Sequence, residues 1–148
     1  MLLTTKLLSL KDILQYKRVY FEILSNLTQA PMIESNDIAE IYTKATLQWS
    51  HFIGCFDSSW DLVGLATLLI EQKFIREWGK VWHIEDVVTR KGYEGRGVGS
   101  TIIQACLKLA EEQQCYKVIL DCNESNIPFY EKNGFKVYDI CMRKNLTH

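Results

Sequence analysis

Apolar positions in the first half of the chain follow two patterns. Residues 11–24 have the three- and four-residue spacing of an amphipathic helix, after a first predicted strand at 3–10. Ser35 is the predicted N-cap of a second helix, beyond a loop at 26–34 that contains Pro31. Apolar stretches bounded by polar turns then predict strands that pair as antiparallel neighbours, at 51–56, 62–74 and 81–89.

The second half alternates helices with strands. Residues 97–113 have apolar side chains along one side and predict a strong helix. The β-branched run 116–121 predicts a strand buried on both faces, and 135–142 predicts a last strand. Between them, Ser125 or Asn126 is expected to cap a short helix with Pro128 in its first turn, and Gly134 to end it. The pattern predicts an α/β (α+β) fold with a mixed, mostly antiparallel sheet and about four flanking helices.

The composition narrows the class of protein. The chain has 148 residues, of which 47% are hydrophobic and 24% charged, so one globular domain spanning residues 1–148 is expected. A net charge of -1 gives no reason to expect nucleic acid or an acidic membrane as a partner. No apolar run reaches the roughly 18 residues of a membrane span, and residues 1–10 lack the features of a signal peptide.

The cysteines and histidines indicate a reducing compartment and no metal. Five cysteines are present, an odd number without close pairing, so reduced thiols and a cytoplasmic location are expected. The three histidines are scattered, and no spacing typical of a structural zinc site occurs.

A glycine-rich turn stands between the strand at 81–89 and the helix at 97–113. Gly95, Gly97 and Gly99 allow close approach of the backbone to an anion, and the N-terminus of the helix favours negative charge. Arg96 adds a cation at the entry to this turn. A tight strand-to-helix turn without a ligand is the alternative. A P-loop is not indicated, because no lysine stands between Gly99 and Ser100.

A dinucleotide fold is a second interpretation of this turn. Asp121 ends the next strand about 20 residues on, where a ribose-binding acid would stand. The glycine spacing is one residue short of that fingerprint, however, and Glu85-Asp86 interrupt a strand that would then be buried. Both departures make a dinucleotide fold a distant second interpretation of this turn.

Residues 81–143 resemble the core of the GCN5-related N-acetyltransferases, and within them the group that acetylates glucosamine 6-phosphate. The glycine turn alone would indicate only the superfamily, whereas the flanking strands and the helix after 127 are more specific. Glu94 departs from the pattern, since the family's phosphate turn usually begins with Arg or Gln. The matching segments are LIEQKFI at 69–75, IEDVV at 84–88, GRGVG at 95–99, CYKVILDC at 115–122 and FYEKNGF at 129–135.

The resemblance implies a parallel strand pair that splays apart to admit acetyl-CoA as co-substrate, with no metal. It implies direct attack of an amine on the acetyl carbon, main-chain N–H groups of Val87 or Val88 at the thioester carbonyl, and Tyr130 as the acid for the departing thiolate. A nucleophilic role for Cys122 is not expected. The residues implied to contact the cofactor are Val87, Val88, Thr89, Gly95, Arg96, Gly97, Val98, Gly99, Ser100, Tyr130, Glu131 and Lys132.

The acceptor implied by the resemblance is a sugar phosphate. Glu85 and Asp121 are the candidate bases for its amine, and Asp86 is expected to face away from Glu85 because successive strand residues alternate. The residues implied to contact the sugar or its phosphate are Thr28, Lys73, Phe74, Ile75, Arg76, Glu85, Asp86, Val87, Tyr116, Lys117, Asp121 and Arg143.

The resemblance also implies a homodimer in which the C-terminal strand completes the neighbouring site. Arg143 would then act either in the site of its own subunit or in the site of the neighbouring one. Two alternatives stay open from the sequence. One is a superfamily member that acetylates a polyamine, an antibiotic or a protein lysine; the other is a non-catalytic CoA-binding module.

Overall fold

A computed structural model describes residues 2–147, and its centre is one five-stranded sheet in the order β1-β2-β3-β4-β5. The first four strands are antiparallel neighbours, and β5 runs parallel to β4. The prediction of a mixed, mostly antiparallel sheet is therefore confirmed. The strands are Thr4–Leu7 (β1), Ser50–Phe56 (β2), Leu62–Gln72 (β3), Lys80–Thr89 (β4) and Lys117–Ile119 (β5).

Six helices accompany this sheet in the described part of the chain, more than the four expected. No helix of residues 2–147 is both long and apolar enough to cross a membrane. The helices are Leu10–Gln15 (α1), Lys17–Leu24 (α2), Ser35–Leu47 (α3), Ile75–Trp78 (α4), Val98–Glu112 (α5) and Ile127–Lys132 (α6), with a 3₁₀ turn at Glu124–Asn126.

The predicted helix at 11–24 is two helices, divided at Tyr16. Tyr16 leaves the helical conformation at φ -100° and ψ 12°, and its ring packs edge-on against Phe56 at 5.3 Å. Ser9 caps α1 in a capping box with Asp12. At α3, Glu34 and not Ser35 is the N-cap residue, and its side chain makes no capping hydrogen bond.

The core has two layers, one on each face of the sheet. Buried residues of α5, among them Ile102, Ile103 and Cys106, pack on one face against Leu68 and Ile84. Helices α1, α2 and α3 cover only part of the other face, where Ile23 and Ile38 pack with Leu65 and Val88. The rest of that second face has partly or fully exposed side chains, among them Glu71, His83, Glu85 and Lys117, and we call it the open face.

The predicted last strand at 135–142 is wrong. After Gly134, the described residues contain no helix or strand, and Tyr138, Ile140 and Met142 are exposed to at least 90%. Apolar alternation stabilises a strand only when a neighbour pairs with it. The strand at 116–121 is likewise shorter than predicted and not buried on both faces, since Lys117 and Ile119 are exposed.

Candidate active site

The parallel strands β4 and β5 separate after three residue pairs. Val81, Trp82 and His83 pair with Lys117, Val118 and Ile119, and there the pairing ends. Strand β4 continues to Thr89 while still pairing with β3 on its other side. The predicted separation of the two strands is therefore present, and we call the gap between them beyond His83 and Ile119 the splay. Val87, Val88 and Thr89 lie along the β4 edge of the splay.

The glycine turn follows directly and leads into α5. Gly97 is the N-cap of α5 in the left-handed region at φ 84°, and Gly95 has φ 72°. A Cβ atom at either glycine would meet nothing within 4 Å, so the turn borders open space. No side chain of the described residues caps this helix end, and its first turn holds no acidic residue. The free N–H groups up to Ser100 therefore fit an anion.

The side chains on either side of Gly95 have partners within the loop. The Glu94 carboxylate accepts a hydrogen bond from the main-chain N–H of Gly92 at 2.7 Å. The guanidinium of Arg96 lies 5.1 Å from the centroid of the Tyr93 ring. Glu94 thus stabilises its own loop. The carboxylate is unusual at this position, but it does not occupy the candidate anion site.

Tyr130 lies half-buried on α6 between two aromatic rings. The centroid of its ring lies 4.9 Å from that of the Phe129 ring and 5.9 Å from that of the Phe135 ring, and both pairs are edge-on. Burial, with Cys122 nearby, raises the pKa of the Tyr130 phenol. The hydroxyl is therefore protonated at neutral pH and can donate a proton. Its neighbours Glu131 and Lys132 are exposed.

Asn133 fixes α6 against α5 and is the one buried polar residue of the described chain. Its amide donates to Ser100 Oγ at 3.3 Å and to the Phe129 carbonyl at 2.9 Å. Its Oδ1 accepts from Gln104 at 3.1 Å. Asn133 therefore joins the helix of Tyr130 to the helix of the glycine turn. The sequence analysis missed it because an asparagine before a glycine also fits an ordinary helix end.

A bulge in β4 changes the direction of its acidic residues. Leu65 pairs with Val88 but Thr67 pairs with Glu85, so β4 has one extra residue there. Asp86 takes the left-handed region at φ 51° and lines a cavity of about 190 Å³ together with Thr67. Directly paired residues share a face, so Glu85 and Asp86 lie on the same face. The prediction that they face opposite ways is wrong.

Glu85, Asp86 and Asp121 form a group of carboxylates at the splay. Burial, then the charges of Asp86 and Asp121, raise the pKa of Glu85. Asp121 follows β5 by two residues, and all three side chains are exposed. The structure thus brings together the three acidic residues that the sequence predicted, with Glu85 made the more basic by its neighbours.

Cations gather around Tyr116 at the other end of the open face. Arg76 and Lys117 each lie above the Tyr116 ring, at 5.8 Å and 5.7 Å from its centroid. Gly79 permits this arrangement, because a Cβ there would lie 2.5 Å from the ring.

Helix α4 is a single turn with unusual backbone angles. Arg76, Glu77 and Trp78 have positive φ values of 54°, 53° and 63°, and Phe74 is 97% exposed, with Ile75 also exposed. Strained exposed backbone of this kind is typical of functional loops.

Lys73 belongs to an ion-pair group that includes two residues the sequence analysis did not single out. The Glu71 carboxylate contacts the Lys73 ammonium through Oε1 and His83 Nε2 through Oε2, the latter at 2.9 Å. Lys73 and then His83 lower the pKa of Glu71, and Glu71 raises the pKa of Lys73. Glu71 lies within the LIEQKFI segment, but its partners could be identified only once β3 and β4 were paired.

Two predicted substrate residues lie on loops. Thr28 is exposed in a loop that contacts the end of β4, where Asn26 Nδ2 donates to the Thr89 carbonyl at 3.5 Å. Arg143 lies on the C-terminal segment, and its Nε donates to Asn145 at 2.6 Å. That segment passes beside the carboxylate group, since Asp121 and Glu85 raise the pKa of the Cys141 thiol. Among residues 2–147, no group of three or more His, Cys, Asp or Glu side chains is arranged to hold a metal ion.

Comparison with known proteins places this geometry in a family. Residues 18–135 match the acetyltransferase (GNAT) family model. Glucosamine 6-phosphate N-acetyltransferase of Trypanosoma brucei brucei is 38% identical over 86% of this chain and 87% of its own. The Candida albicans enzyme of the same name is 37% identical over 82% of this chain and 83% of its own.

Solved structures agree with the fold. A crystal structure of a Trypanosoma brucei acetyltransferase superposes with a TM-score of 0.88 at 34% identity, covering 97% of this chain and 99% of that one. Arabidopsis thaliana glucosamine-6-phosphate N-acetyltransferase gives 0.87 at 26% identity, with 99% and 100% covered.

Proposed function

Because this chain belongs to the acetyltransferase (GNAT) family, we propose that it transfers the acetyl group of acetyl-CoA to the amine of D-glucosamine 6-phosphate. The products are N-acetyl-D-glucosamine 6-phosphate and CoA. The names of the Trypanosoma and Candida relatives support this acceptor. The observation that carries the proposal is the open face itself, which has cations around Tyr116 at one end and the Glu85 carboxylate group at the other.

The splay and the glycine turn are the proposed binding site of acetyl-CoA, which supplies an activated acetyl thioester. The N–H groups from Gly95 to Ser100 would bind its pyrophosphate, with Arg96 as a nearby cation. Val87, Val88 and Thr89 would hold the pantetheine arm along the free edge of β4. An N–H of Val87 or Val88 would donate to the thioester carbonyl oxygen, where negative charge develops.

Tyr130 is the proposed acid. A departing thiolate is stabilised by a proton donor. The phenol of Tyr130 is protonated at neutral pH, as an ordinary tyrosine is, and burial raises its pKa further. Phe129 and Phe135 hold the ring, and Asn133 holds its helix. Glu131 and Lys132, exposed on the same helix, are proposed contacts of the cofactor. Cys122 has no nucleophilic part in this scheme, because the amine attacks the acetyl carbon directly.

Glu85 is the preferred base among the carboxylates. The attacking amine must be neutral, and a raised pKa makes Glu85 a better proton acceptor than an ordinary glutamate. Asp121 and Asp86 would bind the amine and the sugar hydroxyls beside it. The two possible bases are separable by the pH profiles of Glu85→Gln and Asp121→Asn.

The phosphate of the acceptor is proposed to bind at the opposite end of the open face. Lys73, Arg76 and Lys117 supply its cations, and Tyr116 orders two of them. Phe74 and Ile75 would flank the sugar. Thr28 would reach it from its loop at the end of β4, and Arg143 from the C-terminal segment.

We further propose that the chain works as one catalytic domain in a cytoplasmic homodimer. Apolar side chains that stay exposed in the described chain support this, including Tyr138, Ile140 and Met142 of the C-terminal segment. A second copy would bury them. The product would then enter the synthesis of UDP-N-acetylglucosamine.

An acceptor panel tests the proposal. Purified protein with acetyl-CoA should release free thiol rapidly with glucosamine 6-phosphate and far more slowly with unphosphorylated glucosamine, spermidine or a lysine peptide. Equal rates with both sugars would contradict the phosphate assignment. A preference for spermidine or the peptide would contradict the acceptor class.

A further inference from the structure

Glu71 bridges two residues that belong to different parts of the open face. One carboxylate oxygen contacts the ammonium of Lys73, and the other lies 2.9 Å from His83 Nε2. Only a quarter to two-fifths of each of these three side chains is exposed: 25% of His83, 32% of Lys73 and 42% of Glu71. We call Lys73, Glu71 and His83 the bridged triad.

The charge of the bridged triad depends on the histidine. With His83 neutral, the Lys73 cation and the Glu71 anion cancel, so the triad offers a phosphate no net positive charge. With His83 protonated, the triad carries one net positive charge. Imidazole is the side chain whose charge changes most readily near neutral pH. The net charge of the bridged triad therefore follows the protonation of His83.

A phosphate that approaches Lys73 competes with Glu71 for the same ammonium. When Lys73 turns to the phosphate, the Glu71 carboxylate loses one of its two partners and stays close to a second anion. A protonated His83 then compensates Glu71 with a charge-assisted hydrogen bond. A neutral His83 cannot do so fully.

We propose that Glu71 and His83 are positioning residues that couple binding of the acceptor phosphate to proton uptake at His83. The proposal rests on the proposed function, because it assigns the phosphate to Lys73. It makes phosphate specificity depend on pH through a residue that does not itself touch the reacting amine.

The other charges around His83 are accounted for. Glu85 lies two residues further along β4 on the same face, and His83 acts on its pKa. Ile119 pairs with His83 on β5. The charged and titratable groups facing His83 from the packed elements are Glu71 and Lys73 at β3, Glu85 on β4, and Lys117 and Asp121 at β5.

The test measures binding apart from acetyl transfer. Glucose 6-phosphate carries the phosphate but has no amine to acetylate, so its binding to the whole enzyme can be followed by calorimetry between about pH 5.5 and 8.5, on either side of the ordinary histidine pKa. Buffers of different ionisation enthalpy report the protons taken up. The wild type should take up protons on binding and bind more tightly as pH falls.

Two variants give opposite shifts. His83→Gln should weaken the binding of glucose 6-phosphate about threefold or more at the acidic end of the pH range. It should also remove the proton uptake that remains after protonation of the ligand's own phosphate is subtracted. Glu71→Gln removes the competing anion, and it should tighten binding about threefold across the whole pH range. Glu40→Gln, in the exposed helix pair with Lys44 at 2.6 Å, is the matched control and should change nothing.

The outcomes separate this proposal from the proposed function. Proton uptake that is the same in the wild type and in His83→Gln would overturn the coupling, even if the enzyme acetylates glucosamine 6-phosphate. Tighter binding by Glu71→Gln would support the competition, because general damage to the fold cannot tighten binding. Weaker binding by this variant would overturn it. Absence of glucose 6-phosphate binding in the wild type would overturn both. Coupled binding without acetyl transfer would support the triad and contradict only the catalytic proposal.

Discussion

The two ends of the candidate site are built in different ways. The cofactor end consists of main-chain groups held by buried packing: α5 rests on the core, Gly64 lets Val98 and Ile102 approach β3, and Asn133 joins α6 to α5. The proposed acceptor end consists of partly exposed side chains that neutralise one another, such as Lys73 with Glu71. A backbone site tolerates changes of side chain but not of φ, whereas a side-chain site should respond to single charges, to pH and to salt.

Gly97→Val should have the largest effect, and it should abolish cofactor binding without changing the proposed acceptor end. A β-branched residue at φ 84° is strained, and its side chain would enter the space that the anion is proposed to use. We expect no measurable binding of acetyl-CoA, by calorimetry, at concentrations that saturate the wild type.

Gly92→Val is the matched control for that change. Gly92 has a similar φ of 92° and equally open surroundings but lies outside the turn. It should lose comparable stability and still bind the cofactor. Equal loss of binding in both variants would show that strain, and not the anion site, explains the result.

Tyr130→Phe should have the next largest effect, on turnover rather than on binding. Removal of a proton donor typically slows such a step about 100-fold, and the ring packing with Phe129 and Phe135 is retained. Steady-state kinetics should therefore show a lower kcat with little change in the Kd of acetyl-CoA. Tyr16→Phe, which keeps the packing of its ring on Phe56, is the matched control and should have the kcat of the wild type. An unchanged kcat in Tyr130→Phe would remove Tyr130 as the acid.

Lys117→Gln should have the smallest effect and would sharpen the contrast by acting on the acceptor end alone. Loss of one charge-assisted contact should raise the KM for glucosamine 6-phosphate about tenfold. The KM for acetyl-CoA should not change, and glucosamine should be affected much less. Lys108→Gln, on the exposed side of α5, is the control. An equal rise in KM for both sugars would place Lys117 away from the phosphate.

Sequence reasoning succeeded where local pattern and fold agree. Helix α5, the antiparallel strands and the glycine turn follow from apolar spacing and from the positions of Gly95 and Gly97, which only a turn with positive φ explains. The resemblance of residues 81–143 to the acetyltransferases is also confirmed. The roles assigned to Tyr130, Glu85 and Asp121 stay predictions.

The failures occurred where the outcome depends on a distant neighbour. The segment at 135–142 has the composition of a strand, but no strand within residues 2–147 pairs with it. The alternation rule put Asp86 opposite Glu85, but the extra residue in β4 turns both to one face. Bulges leave little trace in a single sequence, because they are defined by two strands together.

By itself, the sequence determined the family, the order of most helices and strands, and the position of the glycine turn, because these depend on local spacing and on residues that tolerate special backbone angles. Only the tertiary structure decided which charges meet. It placed Glu71 in contact with both Lys73 and His83, brought Arg76 and Lys117 to the Tyr116 ring, and joined α5 to α6 through Asn133. Electrostatic partners depend on distances in space of a few ångströms, and those distances arise only when the strands have paired.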